Sequence, residues 1–248
     1  MRIDAIFAPP AVAPALLAGR LVPVIDVLRA SSTIAAALAN GARNVVPLDS
    51  ADEVMTRARQ FERGDVRLAG ERRMLPIPGF DMGNSPREMT REMVEGRTVL
   101  FTTTNGTAAL LAVQGARDVI VASYVNFSAV LAVLRTAARG GVAITFVCAG
   151  RDRQVSLEDA ACAGRFVAAI AEHVPGVELG DGAVVCAALH ARYGDRLADL
   201  FADSEHGRAL RDAGYAADLS VCGTLDAFPV IPVYQDRQLT VVGPDRDR

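Results

Sequence analysis

The chain has 248 residues, 51% of them hydrophobic, with 26 arginines and no lysine against 29 acidic side chains, for a net charge of −3. That length can bury the core of one α/β domain or of two small ones, and no apolar run reaches membrane-spanning length. The absence of lysine excludes Schiff-base chemistry, a pyridoxal phosphate anchor and a Walker-type phosphate loop, so any charge-assisted contact to a phosphate must come from a guanidinium.

Aromatic residues make up only 5% of the chain and the charge balance is slightly acidic, which argues against a nucleic-acid partner. The first residues lack the basic, apolar, small-residue order of a secretory signal. Cys148, Cys162, Cys186 and Cys222 show no metal-ligand spacing, as expected of reduced thiols in a cytoplasmic protein.

Short β-rich runs alternate with alanine-rich helical stretches over the first two thirds of the chain. Strands are expected at Ile3–Phe7, Leu21–Val27, Asn44–Leu48, Val66–Ala69, Thr98–Thr102, Asp118–Ala122 and Val142–Val147. Several are apolar on successive residues, the pattern of strands covered on both faces. Capping patterns start helices at Ser50 with Glu53, Ser85 with Glu88 and Ser156 with Asp159, and Pro86 occupies a favoured first helical position. The run Ala108–Val113 reads as a helix. From about Ser156 helices dominate to Ala213, Gly214 stops them, and Asp218–Val221 and Val230–Tyr234 read as late strands. The polar tail Gly243–Arg248 is expected to fray. The expected fold is an α/β/α three-layer sandwich with a mostly buried sheet, one unit over 1–248, with two lobes around a cleft and a change near residue 150 left open.

Ligands of such folds sit beyond the carboxyl ends of the strands, and five clusters fall there. In Ile25-Asp26-Val27-Leu28-Arg29-Ala30-Ser31-Ser32-Thr33, Asp26 is a candidate metal ligand or water-orienting acid and Arg29 an oxyanion clamp. Ser31 and Ser32 are equally well read as substrate donors or as helix caps. A haloacid-dehalogenase-type site would need an aspartate where Leu28 stands. In Gly70-Glu71-Arg72-Arg73 and the proline- and glycine-rich loop that follows, Glu71 is a candidate ligand for a hard cation, while Asp81, Asn84 and Ser85 read as turn and cap formers. The run Thr102-Thr103-Thr104-Asn105-Gly106-Thr107 joins a strand to a helix, where free backbone N–H groups and hydroxyls seat an anion.

In Cys148-Ala149-Gly150-Arg151, a tyrosine-phosphatase loop would need arginine where Gln154 stands. Cys148 therefore reads as a small buried residue and Arg151 as a second oxyanion clamp. Asp159 reads as the capping partner of Ser156, a duty Glu158 does not share. Asp218 or Asp226 could complete an acidic pocket, with nothing to choose between them. His173, His190 and His206 lie in contexts that suggest surface or capping roles, and no histidine-based triad is supported.

The ordered set Ile25–Thr33, Gly70-Glu71-Arg72, Pro78–Pro86, Thr102–Thr107, Cys148–Arg151 and Ser156–Asp159 resembles the 2-phosphosulfolactate phosphatase family and spans most of the chain. The resemblance implies a magnesium-dependent hydrolase that converts 2-phospho-3-sulfolactate to 3-sulfolactate on a route to coenzyme M, or a relative acting on another 2-phosphorylated hydroxy acid. Asp26, Arg29 and Arg151 are then the candidate catalytic residues. Ser31, Ser32, Thr103, Thr104, Asn105, Gly106 and Thr107 are the candidate substrate contacts, and Asp26, Glu71 and Glu158 the candidate Mg2+ ligands. The partner is a small anionic phosphorylated substrate, not nucleic acid or membrane, and a homo-oligomer is compatible with this reading. The competing reading is a non-catalytic sensor or binding protein for an anionic metabolite. A nucleotide-dependent enzyme finds no support, because no glycine fingerprint follows a strand.

Overall fold

A computed structural model describes residues 1–9, 12–113 and 115–241; the expected frayed tail at 243–248 lies outside them. The strands are β1 (Arg2–Ile6), β2 (Leu21–Ile25), β3 (Asn44–Pro47), β4 (Val66–Arg72), β5 (Leu75–Pro76), β6 (Thr98–Thr102), β7 (Asp118–Ala122), β8 (Ile144–Cys148), β9 (Glu178–Leu179), β10 (Pro232–Gln235) and β11 (Gln238–Val241). The helices are α1 (Pro14–Leu17), α2 (Ala30–Ala39), α3 (Ala51–Ala58), α4 (Arg91–Val94), α5 (Gly106–Ala112), α6 (Phe127–Arg139), α7 (Leu157–His173), α8 (Asp181–Tyr193), α9 (Leu197–Asp203), α10 (Glu205–Asp212) and α11 (Ala216–Cys222).

The strands form one mixed sheet flanked by helices, in the order β5-β4-β6-β3-β11-β10-β7-β2-β8-β1-β9. This is the expected α/β architecture. Two parallel groups, β4-β6-β3 and β7-β2-β8-β1-β9, are joined by the antiparallel β10–β11 hairpin from the end of the described chain. Because β3–β11, β11–β10 and β10–β7 all pair antiparallel, the two parallel groups run in opposite directions along the ladder. Strand-end residues of the two groups nonetheless meet, Gly106 after β6 lying against Asp26 after β2. The cleft described below lies where they meet.

The continuous apolar runs behave as expected: every residue of β2, β6 and β8 is buried. One core packs β1, β2 and β8 against α6, α7 and α8, around Phe146, Phe166, Leu134 and Ile170. A second fills the opposite side around Ile34, Val99, Phe101 and Leu110. The close approach of α7 and α8 depends on Gly164, whose side-chain position is occupied by the carbonyl of Cys186. All four cysteines are free and buried.

The capping patterns at Ser50 and Ser156 start α3 and α7 as expected, with Glu53 N–H and Asp159 N–H donating to the serine hydroxyls. Ser85 does not start a helix. Residues 86–88 form a turn, the next helix begins after Thr90, and the Ser85 hydroxyl donates instead to Asp218 at 2.7 Å. Asp218–Val221 is not a strand but lies within α11. There Asp218, Leu219 and Cys222 are the buried face, a helical spacing that a short apolar run does not reveal. The late strand at Val230–Tyr234 is realised as β10, shifted to Pro232–Gln235, and is followed by the unexpected β11.

Candidate active site

Four strand ends and one helix start converge on a cavity of about 160 Å³. It is lined by Asp26, Leu28, Arg29, Glu71, Arg73, Met74, Thr104, Asn105, Arg151, Asp152 and His206. The fold therefore brings together Asp26 after β2, Glu71 in β4, Thr104 and Asn105 after β6, and Arg151 after β8. An adjoining hollow of about 520 Å³ shares Arg151, Asp152 and His206 and is lined by Glu158.

Asp26 is buried where α2 begins. Its N–H donates to Ser31 Oγ at 2.8 Å, and its Oδ1 accepts the Ala30 N–H at 3.3 Å. Its Oδ2 lies against the start of α5. A methyl group on Gly106 would come within 2.6 Å of that oxygen and would collide with the Ala30 side chain, so only glycine fits. Burial pushes the Asp26 carboxyl up to about 6; His206 opposes the shift, and the negative charges of Glu71 and Glu158 add to it. Ser31 and Ser32 do not line the cavity. The Ser31 hydroxyl supports the Asp26 backbone, and Ser32 Oγ donates to the Val27 carbonyl at 2.9 Å and sits 3.0 Å from Ser123 Oγ.

Glu71 holds two walls of the cavity together. Its Oε1 accepts the Thr104 N–H and its Oε2 the Met74 N–H, both at 2.7 Å. Met74 and Arg73 form the two-residue turn between β4 and β5 and both adopt positive φ. In a non-glycine residue that conformation needs compensation, which the bond to Glu71 supplies.

The threonine run is smaller as an anion seat than the sequence suggests. Thr103 and Thr107 bond each other: Thr107 N–H donates to Thr103 Oγ1 at 3.1 Å and Thr103 N–H to Thr107 Oγ1 at 3.2 Å. Both side chains are buried, and Thr104 N–H is taken by Glu71. Thr104 and Asn105 are the residues of the run that face the cavity.

Arg29 is only 2% exposed yet lines the cavity. Its Nη1 donates to Asp218 Oδ2 at 2.8 Å, its Nη2 to the Met74 carbonyl at 3.1 Å, and its guanidinium lies 4.2 Å from the centre of the Tyr215 ring. Of the two late aspartates, Asp218 thus stands behind the site, whereas Asp226 lies elsewhere, accepting bonds from the Ser128 N–H and hydroxyl. Arg151 makes a loose 3.7 Å pair with Asp152 and is less restrained than Arg29.

Glu158 is 1% exposed, and neither of its oxygens has a hydrogen-bonded partner. His206 Nδ1 approaches Oε1 to 3.2 Å, an ion-pair distance outside hydrogen-bond geometry. Burial would raise the Glu158 carboxyl, but His206 overrides it and leaves the group below its ordinary value. The expected surface or capping role of His206 is therefore corrected: it lines the cavity from the first turn of α10, whose start is set by Ser204. No local pattern marks it in the sequence. Asp159 begins α7 as expected and also ties β2 to β8, accepting the Val27 N–H at 2.8 Å and the Gly150 N–H at 3.2 Å. Cys148 is fully buried, and burial pushes its thiol well above the ordinary range, which disfavours the thiolate and fits the expected packing role.

Among the described residues no three His, Cys, Asp or Glu side chains cage a metal by themselves. Magnesium needs fewer: one or two carboxylates, with water and substrate oxygens completing its shell. Asp26, whose Oδ1 takes the Ala30 N–H, and Glu158, neither of whose oxygens has a hydrogen bond and whose Oε1 pairs with His206, fit that requirement, whereas both Glu71 oxygens are engaged by backbone.

The chain resembles known proteins over nearly its whole length. It is 44% identical over 230 residues to a "Probable 2-phosphosulfolactate phosphatase" of Symbiobacterium thermophilum, covering 91% of this chain and 96% of the relative. It is 37% identical over 211 residues to the protein of that name from Caldanaerobacter subterraneus, covering 85% and 86%. The likeness to the Clostridium perfringens protein is 34% over 244 residues, covering 98% and 97%. The family profile of 2-phosphosulpholactate phosphatase matches residues 8–237. The chain thus belongs to the 2-phosphosulpholactate phosphatase family, whose members are phosphoric monoester hydrolases.

Proposed function

We propose that the protein hydrolyses 2-phospho-3-sulfolactate, or a related 2-phosphorylated hydroxy acid, to the hydroxy acid and phosphate with the help of Mg2+. The observation that carries this reading is the meeting of buried Asp26 with Arg29, Arg73 and Arg151 around one small cavity. Three guanidinium groups suit a substrate bearing several negative charges, and an unpaired buried carboxylate suits a cation or a proton transfer. The names of the relatives support the substrate class.

Asp26 and Glu158 would hold Mg2+, which when bound neutralises charge developing on the phosphoryl oxygens. Arg29, Arg73 and Arg151, which all line the cavity, orient the anion. Thr104 and Asn105 add neutral donors that position the substrate. Asp26 orients a water for in-line attack and takes its proton. The water oxygen forms the new P–O bond as the ester P–O bond breaks, and the leaving alkoxide takes a proton from solvent, to which Asp26 in turn releases the one it accepted. Phosphorylation of Asp26 itself is the competing route; borohydride reduction of Asp26 to homoserine during turnover, or retention of configuration at phosphorus with a chiral phosphate ester, would reveal it. The reading includes a cytoplasmic enzyme on a route to coenzyme M or an analogous path; among the described residues no helix is long and apolar enough to cross a membrane.

Phosphate release from a panel of phosphorylated hydroxy acids, with magnesium and with a chelator, tests the proposal. Release that requires magnesium and is fastest with 2-phosphorylated acids is expected. Binding of these anions without release, indifferent to magnesium, would instead make the protein a metabolite sensor.

A further inference from the structure

Arg29 poses a physical problem that the cavity alone does not solve. A nearly inaccessible guanidinium is costly to bury unless a partner carboxylate and further acceptors surround it. The late helix α11 supplies that partner from a distant part of the chain. Asp218 is 1% exposed and does not line the cavity, so it cannot meet a ligand there. One of its oxygens holds Arg29 Nη1 at 2.8 Å, and the other accepts the Ser85 hydroxyl at 2.7 Å. The Tyr215 ring, one residue before the same helix, covers the guanidinium face. Arg29 Nη2 is fixed by the Met74 carbonyl, at the turn that Glu71 holds. A long flexible side chain is thus restrained on its face and at two N–H groups, while its remaining donors stay available to the cavity.

We propose that Asp218, braced by Ser85, is the positioning residue of Arg29, fixing the guanidinium before any anion arrives. That Arg29 then grips a phosphorylated substrate rests on the phosphatase reading; that Asp218 immobilises it does not. Preorganisation of this kind lowers the ordering cost of binding, so its loss shows mainly in KM.

The test uses the full chain and two readouts. Nitrogen-15 spectra of the arginine side chains, with Arg29 identified by its loss in Arg29→Lys, report whether rotation of its Nη groups is hindered. Wild type is expected to give resolved Nη signals, and Asp218→Asn averaged ones. In kinetics, Asp218→Asn should raise KM about tenfold with kcat changed far less, and Ser85→Ala should raise it by roughly threefold. The Arg29→Lys/Asp218→Asn pair should lose less than the sum of its parts, because both changes break one contact. Resolved Nη signals in Asp218→Asn, or additive losses in the pair, would overturn the proposal. So would a lowered melting temperature with unaltered KM. If Asp218→Asn does not fold, Ser85→Ala decides: unchanged signals and unchanged KM there reject the bracing role. A wild-type protein that releases phosphate from no ester would refute the phosphatase reading, and the Nη signals would still decide the positioning.

Discussion

Glu71 accepts the backbone N–H of Thr104 across a 2.7 Å hydrogen bond while its other oxygen holds Met74, so one carboxylate spans the ends of β4 and β6 and the turn beside them. Glutamine in its place has a single acceptor, which leaves one backbone N–H facing an amide donor. A buried N–H without its acceptor costs about 1–3 kcal/mol. Glu71→Gln should therefore lower stability by that amount and kcat/KM by roughly tenfold, because the Thr104 and Met74 walls lose their common tie. Thermal unfolding and steady-state kinetics check it; a variant with wild-type kinetics would remove Glu71 from the organisation of the site.

Asp26→Asn separates chemistry from folding. The mutant should lose about a hundredfold or more in kcat, since amide nitrogen can neither take a proton nor bind a cation as carboxylate does. Stability should move the other way. Asp26 in the fold sits at about 6 because of burial, against an ordinary 3.8, so the folded state binds the proton more tightly than the unfolded chain. Its ionisation therefore destabilises the protein as pH rises from about 4 to above 6, by up to about 3 kcal/mol. In chelator-treated protein the asparagine variant should be more stable than wild type at pH 8, and the gap should close near pH 4. Denaturant titrations at both pH values measure it, and equal stability throughout would count against the burial of an uncompensated charge.

Gly106→Ala should harm the protein even though alanine favours helices by about 1 kcal/mol. The added methyl meets the Ala30 side chain and lies 2.6 Å from Asp26 Oδ2. Overpacking at such a site costs about 1–3 kcal/mol. The expected outcome is a net loss of stability together with a deeper loss of kcat, as Asp26 is displaced. A more stable, fully active alanine variant would show that α5 and α2 can separate freely.

Asp4 gives a prediction far from the cleft. Burial raises its carboxyl, but hydrogen bonds from Arg2 and Arg20 outweigh this and hold it below 3.8. A depressed carboxyl stabilises the fold above its unfolded value, and the contribution disappears as pH falls through the folded one. The stability difference between wild type and Asp4→Asn should thus be constant above about pH 5 and shrink below pH 3.8. Because the pair is partly solvated the difference is small and should weaken with salt. A difference that grows on acidification would reverse the assignment.

Much of the fold and part of the site were legible in the residues themselves. Continuous apolar runs named the central strands β2, β6 and β8, because a strand buried on both faces has no polar positions to alternate. The serine caps at Ser50 and Ser156 set α3 and α7 through bonds spanning three residues. Asp26, Glu71, Thr104 and Arg151 stood out because an α/β sheet places its chemistry at strand ends, a property of local order along the chain. Tertiary structure decided what each of these groups does. It engaged both oxygens of Glu71 with backbone, turned Thr103 and Thr107 towards each other, and set Glu158 against His206 with no hydrogen bond to either oxygen. It also sent Ser85 and Asp218, 133 residues apart, to the back of Arg29. Those roles depend on contacts between segments remote in sequence, and no spacing along the chain encodes them.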